Sequence, residues 1–263
     1  MTMTDAQRKS ASDLLYRHWR AETRLDALPE DLRPATRADG YRVQACIMDY
    51  TSAPLFGWKI AATSVAGQAH INVDGPLAGR LLAERVIADG GDCPLGNNLM
   101  RVAEMEFAFR MGADLPPRAT PYAQDEVMAA VATLHPAIEI PDSRYNDFTA
   151  VGLAQLVADN ACAHRFVLGP ATDAPWRGID LAAHAVRALL GGAVAGAGTG
   201  ANVLGDPRIA LTWLVNELSA HGLTLRAGEV VTTGTCVKPV EIRAGDQVLG
   251  DFGVLGRVSL AII

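Results

Sequence analysis

The chain has 263 residues, enough to bury a substantial core in one large domain, or in a domain of roughly 200 residues with a small helical appendage. Hydrophobic residues make up 49% and charged residues 20%, which excludes intrinsic disorder. With 29 acidic against 23 basic side chains the formal charge is -6, and no electrostatic footprint for a nucleic-acid backbone is present.

The four cysteines, Cys46, Cys93, Cys162 and Cys236, are far apart and form no C-x-x-C pair. Neither a zinc knuckle nor a thioredoxin-like redox site is expected, and reduced thiols fit a cytoplasmic location. The first fifteen residues are polar and lack the continuous apolar stretch of a secretory signal. Residues 188–205 carry no charge and approach membrane-spanning length, but they are rich in Gly and Ala and contain Thr199 and Asn202. A glycine-rich loop is expected there rather than a membrane helix.

In chain order, residues 5–28 place Leu14, Leu15, Trp19 and Leu25 at roughly helical spacing, with Pro29 marking the end. A second helix is expected after Thr36, which can cap it, with Tyr41, Ala45 and Met48 on one face. From Phe56 the texture changes to short apolar runs punctuated by Gly and Pro; residues 56–61, 101–110, 137–140 and 166–168 read as strands. Helices are expected over 124–134, 149–159 and 207–221. The tail from residue 229 reads as strands separated at Gly245-Asp246 and Gly250-Asp251. The division is therefore an N-terminal helical segment, 1–50, and one α+β unit, 51–263.

Residues 101–110 carry the most chemical information. In a strand, Met105, Phe107 and Phe109 share one face, so Glu104 and Glu106 share the other. Two neighbouring carboxylates repel unless solvated or neutralised by a cation. Spacing alone leaves both readings open, since half-exposed strands are common. Glu139 is a third carboxylate, inside the apolar run Pro136-Ala-Ile-Glu-Ile-Pro141, where a charge demands compensation. Three carboxylates without a His or Cys cluster would form a hard oxygen site suited to Mg²⁺ or Mn²⁺ rather than Zn²⁺. Lys59 lies in another apolar run, where a lysine is more often an edge or snorkelling residue than a catalyst.

Together, Gly57-Trp-Lys-Ile-Ala61, Glu104-Met-Glu106, Pro136-Ala-Ile-Glu139 followed by Ser143-Arg144, Ala158-Asp-Asn-Ala161 and Gly228-Glu-Val-Val-Thr-Thr-Gly-Thr235 resemble the 2-keto-4-pentenoate hydratase and 4-oxalocrotonate decarboxylase family, within the fumarylacetoacetate hydrolase-like superfamily. The resemblance runs in order from about residue 40 to the C-terminus. It implies a mixed β-roll with flanking helices, a metal held by Glu104, Glu106 and Glu139, Lys59 beside the substrate, and a Gly234-Thr235 turn that binds the substrate carboxylate or carbonyl. It also implies a small-molecule 2-oxo acid substrate and a homo-oligomer.

One departure stands out. Pentenoate hydratases of this type often carry an acidic residue just after an Asp-x-Pro segment, whereas here Val73-Asp-Gly-Pro-Leu77 places Leu77 there. His70 and Asp74 are the substitutes for proton transfer on proximity in sequence, although Asp74 equally suits shaping the Gly75-Pro76 turn. Trp58 and Leu77, if near the site, would favour an apolar substrate tail.

Other motifs fail. Gly196-Ala-Gly-Thr-Gly-Ala201 matches G-x-G-x-x-A, but Gly205-Asp206-Pro207 falls where the cofactor helix should begin. His164 and His184 read as structural, and Arg144 and Asp147 as solvated loop charges unless they line the site. The leading expectation is metal-assisted hydration of a 2-hydroxy-2,4-dienoate to a 4-hydroxy-2-oxo acid. Decarboxylation of a 2-oxo-3-enedioate and carbon-carbon hydrolysis of an acylpyruvate use the same enolate stabilisation, and a non-catalytic 2-oxo acid-binding or assembly role is the alternative of another class.

Overall fold

A computed structural model describes residues 3–263. The chain opens with α1 (Asp5–Ala21), whose first turn is closed by a capping box: Gln7 N donates to Thr4 Oγ1 at 3.2 Å and Thr4 N donates to Gln7 Oε1 at 2.9 Å. The helix stops seven residues short of the expected end because Glu22 turns left-handed, with φ of 52°. Leu25 then bridges Tyr145, and Leu28 is fully buried. Next, α2 (Arg37–Ala45) begins at the Thr36 cap as expected. Both helices pack onto the body: Ala11, Leu15, Leu28 and Val43 share a buried cluster with Tyr145 and Ala158.

The body follows as β1 (Leu55–Ala61), α3 (Val65–His70), β2 (Leu77–Leu82), β3 (Val86–Ile87), β4 (Asp92–Cys93) and β5 (Val102–Met111). Then come α4 (Gln124–Ala129), β6 (Val131–Ile140), α5 (Leu153–Ala158), β7 (Arg165–Leu168), β8 (Ala185–Leu190) and β9 (Ala193–Thr199). The C-terminal part comprises α6 (Pro207–Ala220), β10 (Val230–Thr235), β11 (Val240–Glu241), β12 (Gln247–Asp251) and β13 (Arg257–Ile262). An eight-stranded mixed sheet runs β2-β1-β10-β5-β6-β7-β3, with β11 added to β5, and a five-stranded sheet runs β4-β13-β12-β8-β9. The α+β class expected from the sequence is this mixed arrangement.

The sheets meet across the apolar face of β5. Met105, Phe107 and Phe109 are buried there, and the Phe107 ring meets Phe252 edge-on at 5.3 Å. The opposite face carries the glutamates.

Four further expectations change. The 124–134 helix ends at Ala129, and β6 takes over from Val131 because its Val, Thr and Ile residues extend a ladder on β5. The 149–159 helix starts only after Gly152, whose φ of 82° no other residue adopts cheaply. The uncharged 188–205 stretch is largely a hairpin, β8 to β9, turning at Gly191-Gly192 with φ of 55° and 86°. Gly250-Asp251 is not a turn but part of β12, paired on both sides. Among the described residues no helix is long and apolar enough to cross a membrane, and all four cysteines are free thiols.

Candidate active site

The strand ladder sets the geometry of the carboxylates. On neighbouring antiparallel strands Glu104 of β5 lies directly opposite Glu139 of β6, and Glu106, two residues along, lies opposite Thr235 of β10. One carboxylate oxygen from each of Glu104, Glu106 and Glu139 falls within 4.8 Å of the others. Glu104 is partly open to a cavity of about 830 Å³, whereas Glu106 and Glu139 are completely buried. The solvated-face reading of β5 is therefore wrong for Glu106, and Glu104 opens onto the cavity rather than lying on a free surface.

Lys59 of β1 enters from the side. Its Nζ donates to the Ala161 carbonyl at 3.0 Å and stands 3.0 Å from Glu139 Oε1. Burial opposes its charge, but Glu139, then Glu104 and Glu106, more than offset this and hold the ammonium above its ordinary pKa. It is neither an edge nor a snorkelling residue, being 3% exposed.

One lysine does not balance three carboxylates. Burial, followed by the charge on Glu139, pushes Glu104 up to about 7 against the pull of Lys59. Glu106 is raised well above the carboxylate range by burial and by both neighbouring acids. Burial also raises Glu139 against Lys59. On the hydrogen-bond side, Glu106 Oε2 is satisfied by the Thr232 hydroxyl and by Gly234 N at 2.7 Å. Glu106 Oε1 and Glu139 Oε2 accept no hydrogen bond, and Glu139 Oε1 has only the Lys59 ammonium beside it. Buried acceptors are rarely left so. Inward-facing anionic oxygens outnumbering their donors are the ligand set of a hard divalent cation, so these residues fit a metal.

Gly234 and Thr235 both border the cavity. Gly234 has φ of 104°, and a Cβ there would lie 2.0 Å from Thr63 Oγ1, so only glycine lets this amide reach Glu106. The Thr235 hydroxyl donates to Val237 O at 2.6 Å. The groups expected to hold substrate thus engage their own chain, Gly234 by orienting a carboxylate of the cluster.

Of the two proton-transfer candidates, the structure brings only His70 to the cavity, where its ring meets Phe148 edge-on at 6.0 Å. Asp74 lies outside the lining, 88% exposed and 3.6 Å from Arg37, because the Gly75-Pro76 turn directs it to solvent. Leu77 is buried in the wall. Trp58 is not part of that wall: strand alternation turns it away from Lys59, beneath Arg80 at 4.5 Å and bonded through Nε1 to Glu229 at 3.2 Å.

The 158–161 run supplies what sequence reasoning missed. Asn160, Ala161 and Cys162 are three successive left-handed residues, with φ of 55°, 49° and 61°. Such residues cost about 1–2 kcal/mol each and persist only when surrounding structure fixes them. Asn160 exchanges two hydrogen bonds with the backbone of Arg80, at 2.6 and 2.8 Å. The Asp159 carboxylate accepts from Ser143 Oγ at 2.7 Å and from Arg144 N and Nε, while Arg144 also donates to the carbonyls of Asp142, Asp159 and Ala163. Arg144 is 2% exposed, so it is neither a cavity residue nor a solvated charge. Asp147 is a loop charge that accepts from the Thr149 hydroxyl at 2.6 Å. The clamp aims the Ala161 carbonyl at Lys59. Asn is the one residue of the run whose type hints at a left-handed backbone.

His164 accepts from Trp19 Nε1 at 2.7 Å and His184 Nε2 pairs with Phe252 O at 2.6 Å, both outside the cavity lining.

The chain can now be set beside known proteins. The pattern for the fumarylacetoacetate (FAA) hydrolase C-terminal family matches residues 81–261. A 2-hydroxyhexa-2,4-dienoate hydratase of Comamonas testosteroni is 34% identical over 89% of each chain. A 2-keto-4-pentenoate hydratase of Dechloromonas aromatica (strain RCB) is 35% identical over 78% of this chain and 76% of its own. In structure, the 4-oxalocrotonate decarboxylase of Pseudomonas putida G7, complexed with magnesium and adipate, superposes with a TM-score of 0.90 at 28% identity, covering 100% of this chain and 99% of that one. The same enzyme complexed with calcium and acetate gives 0.88. With the match extending over most of its length, the chain belongs to the fumarylacetoacetate hydrolase family.

Proposed function

We propose that the protein is a divalent-metal-dependent hydro-lyase that adds water to a 2-hydroxy-2,4-dienoate, or its 2-oxo-4-enoate tautomer, to give a 4-hydroxy-2-oxo acid. The observation that carries this reading is a cluster of three buried or part-buried carboxylates that a single lysine leaves under-compensated, on the lining of a cavity of about 830 Å³. The hydratase relatives support the reaction type.

Glu104, Glu106 and Glu139 would hold the ion, Mg²⁺ or Mn²⁺. When bound, it supplies positive charge against the enolate that develops across the C1 carboxylate and C2 oxygen. Lys59 keeps its proton and presents it towards that oxygen, its direction fixed by the Ala161 carbonyl and Glu139. Thr232 and Gly234 hold Glu106 still. Protonation at the far end of the dienol gives an α,β-unsaturated ketone, to which water adds at C4; His70, the histidine of the cavity lining, is assigned to move these protons. Ile71, Leu77, Phe148 and Leu156 exclude bulk water and favour a hydrocarbon tail. A soluble 2-oxo acid is thus the partner, and self-association is retained as an expectation, tested by light scattering.

A second reading, decarboxylation of a 2-oxo-3-enedioate, is favoured by one feature. Lys238 is on the cavity lining, with Glu241 as a neighbouring lining carboxylate, and is the cation there that would meet a second substrate carboxylate. Incubation with 2-hydroxypenta-2,4-dienoate and its six-carbon homologue, with Mg²⁺, Mn²⁺ or EDTA, separates the two readings. Metal-dependent loss of dienol absorbance with a 4-hydroxy-2-oxo acid seen by NMR supports hydration. CO₂ release from 2-oxo-3-hexenedioate, with no hydration of either dienoate, would replace it with decarboxylation.

A further inference from the structure

A second cleft, about 340 Å³, lies between the end of α1, the segment after α2, the end of β2 and the start of β7, and shares no lining residue with the larger cavity. Its lining includes Arg20, Arg85 and Arg165, together with Tyr16 and Tyr50, whose rings stack at 4.3 Å and 10° into a flat wall. Among the described residues these three arginines take part in no ion pair and donate no side-chain hydrogen bond, whereas the nearby Arg24 and Arg144 are paired with Asp142 and Asp159. The Nε of Arg165 is buried without any partner. One carboxylate, Glu84, shares the lining, and it already accepts from Thr51 Oγ1 at 3.0 Å.

At the centre of the cleft Arg85 is held in place, whereas Arg20 stands at its exposed rim. Arg85 lies 4.4 Å above the Trp19 ring, Arg144 lies 4.9 Å from the same ring, and Trp19 is fixed by its bond to His164. Burial, then repulsion from Arg165 and Arg144, brings Arg85 down to about 10. His164, buried among Arg144, Arg85, Arg165 and Arg24, falls to about 2. Guanidinium groups present planar forks that match carboxylate and phosphate oxygens, and three arginines facing the single carboxylate of Glu84 leave the cleft with excess positive charge for an anion.

We propose that this cleft binds a small free oxyanion, a phosphate or carboxylate group, at a site separate from the proposed catalytic cavity. The inference rests on the arginine geometry and not on the reaction assigned above.

The test uses inorganic phosphate on the full-length, metal-free protein, by thermal unfolding and isothermal titration, with chloride at matched ionic strength as reference. Roughly tenfold above Kd, phosphate is expected to raise Tm by about 3 °C in the unaltered protein and to do so far less in Arg85→Met/Arg165→Met. Any general salting effect acts on both proteins and cancels in the comparison. Arg20→Ser, at the exposed rim, keeps the test decisive if the double variant folds poorly, and is expected to weaken phosphate binding about three- to tenfold. Equal phosphate response in the unaltered protein and the variants overturns the proposal. So does a variant that lowers the oligomer mass in light scattering while the unaltered protein fails to bind phosphate, which would assign the arginines to a subunit contact.

Discussion

Two buried ion pairs meet at the turn of residues 159–162, and they are finished differently. At Arg144–Asp159 the chain supplies every partner: the carboxylate receives a hydroxyl, a backbone amide and a guanidinium, and the remaining guanidinium donors end on carbonyls. At Lys59–Glu139 the same kind of pair is left open: Lys59 meets one Glu139 oxygen, and the other, with one oxygen of Glu106, accepts nothing. Buried charge is costly unless paired and bonded, so the saturated pair can be read as scaffold and the unsaturated one as a place for something the chain does not itself provide. The two are joined at residues 159–162, where the scaffold pair fixes the turn whose carbonyl holds Lys59.

The comparison breaks most completely if the open pair needs nothing from outside. Chelation by EDTA, or Glu106→Ala, is expected to lower turnover by at least about a thousandfold and to abolish tight metal binding in calorimetry; a metal-free protein that still turns over would reduce the cluster to an unusual core. Lys59→Met is expected to lower kcat by about 10²–10⁴-fold while metal binding persists. Unchanged turnover would make Lys59 a structural counter-charge like Arg144.

For the closed pair the expected loss is of stability. Asp159→Leu leaves Arg144 buried without its anion and should cost about 3–5 kcal/mol in denaturant unfolding, with metal affinity measured on the folded fraction nearly intact. Gly234→Ala sits between the two cases: its positive φ and contact with Thr63 predict about 1–3 kcal/mol of strain, and disturbance of the amide on Glu106 about a 10–100-fold loss of metal affinity.

The smallest effect is a pH dependence. His164 is held neutral in the fold, pushed down to about 2 by burial and by Arg144, Arg85, Arg165 and Arg24, whereas in the unfolded chain it titrates near 6.5. Below about pH 6.5 the unfolded chain takes up a proton that the folded one refuses, so this residue's contribution makes stability fall as pH falls, by at most about 1.4 kcal/mol per unit. His164→Asn should flatten the acid limb of a stability-against-pH curve, and an unaltered limb would show that the imidazole is reached by solvent.

The amino-acid sequence by itself determined the α+β class, the strand that alternates Met105, Phe107 and Phe109 against Glu104 and Glu106, and the improbability of Glu139 and Lys59 in apolar runs, because strand period and burial preference are local. Its ordered motifs also identified the family. Where local signals were weak, tertiary pairing decided: β6 took residues assigned to a helix, and Gly- and Ala-rich residues formed β8 and β9 because a partner strand made extended backbone favourable. Only the fold could separate His70 from Asp74, since four residues of sequence say nothing about which one a turn directs to solvent. Only the fold could show that Ser143, Arg144, Asp159 and Asn160 hold a left-handed turn, or bring Arg20, Arg85 and Arg165 to one cleft. Charges distant in sequence acquire meaning through the partners they find, or fail to find, in space.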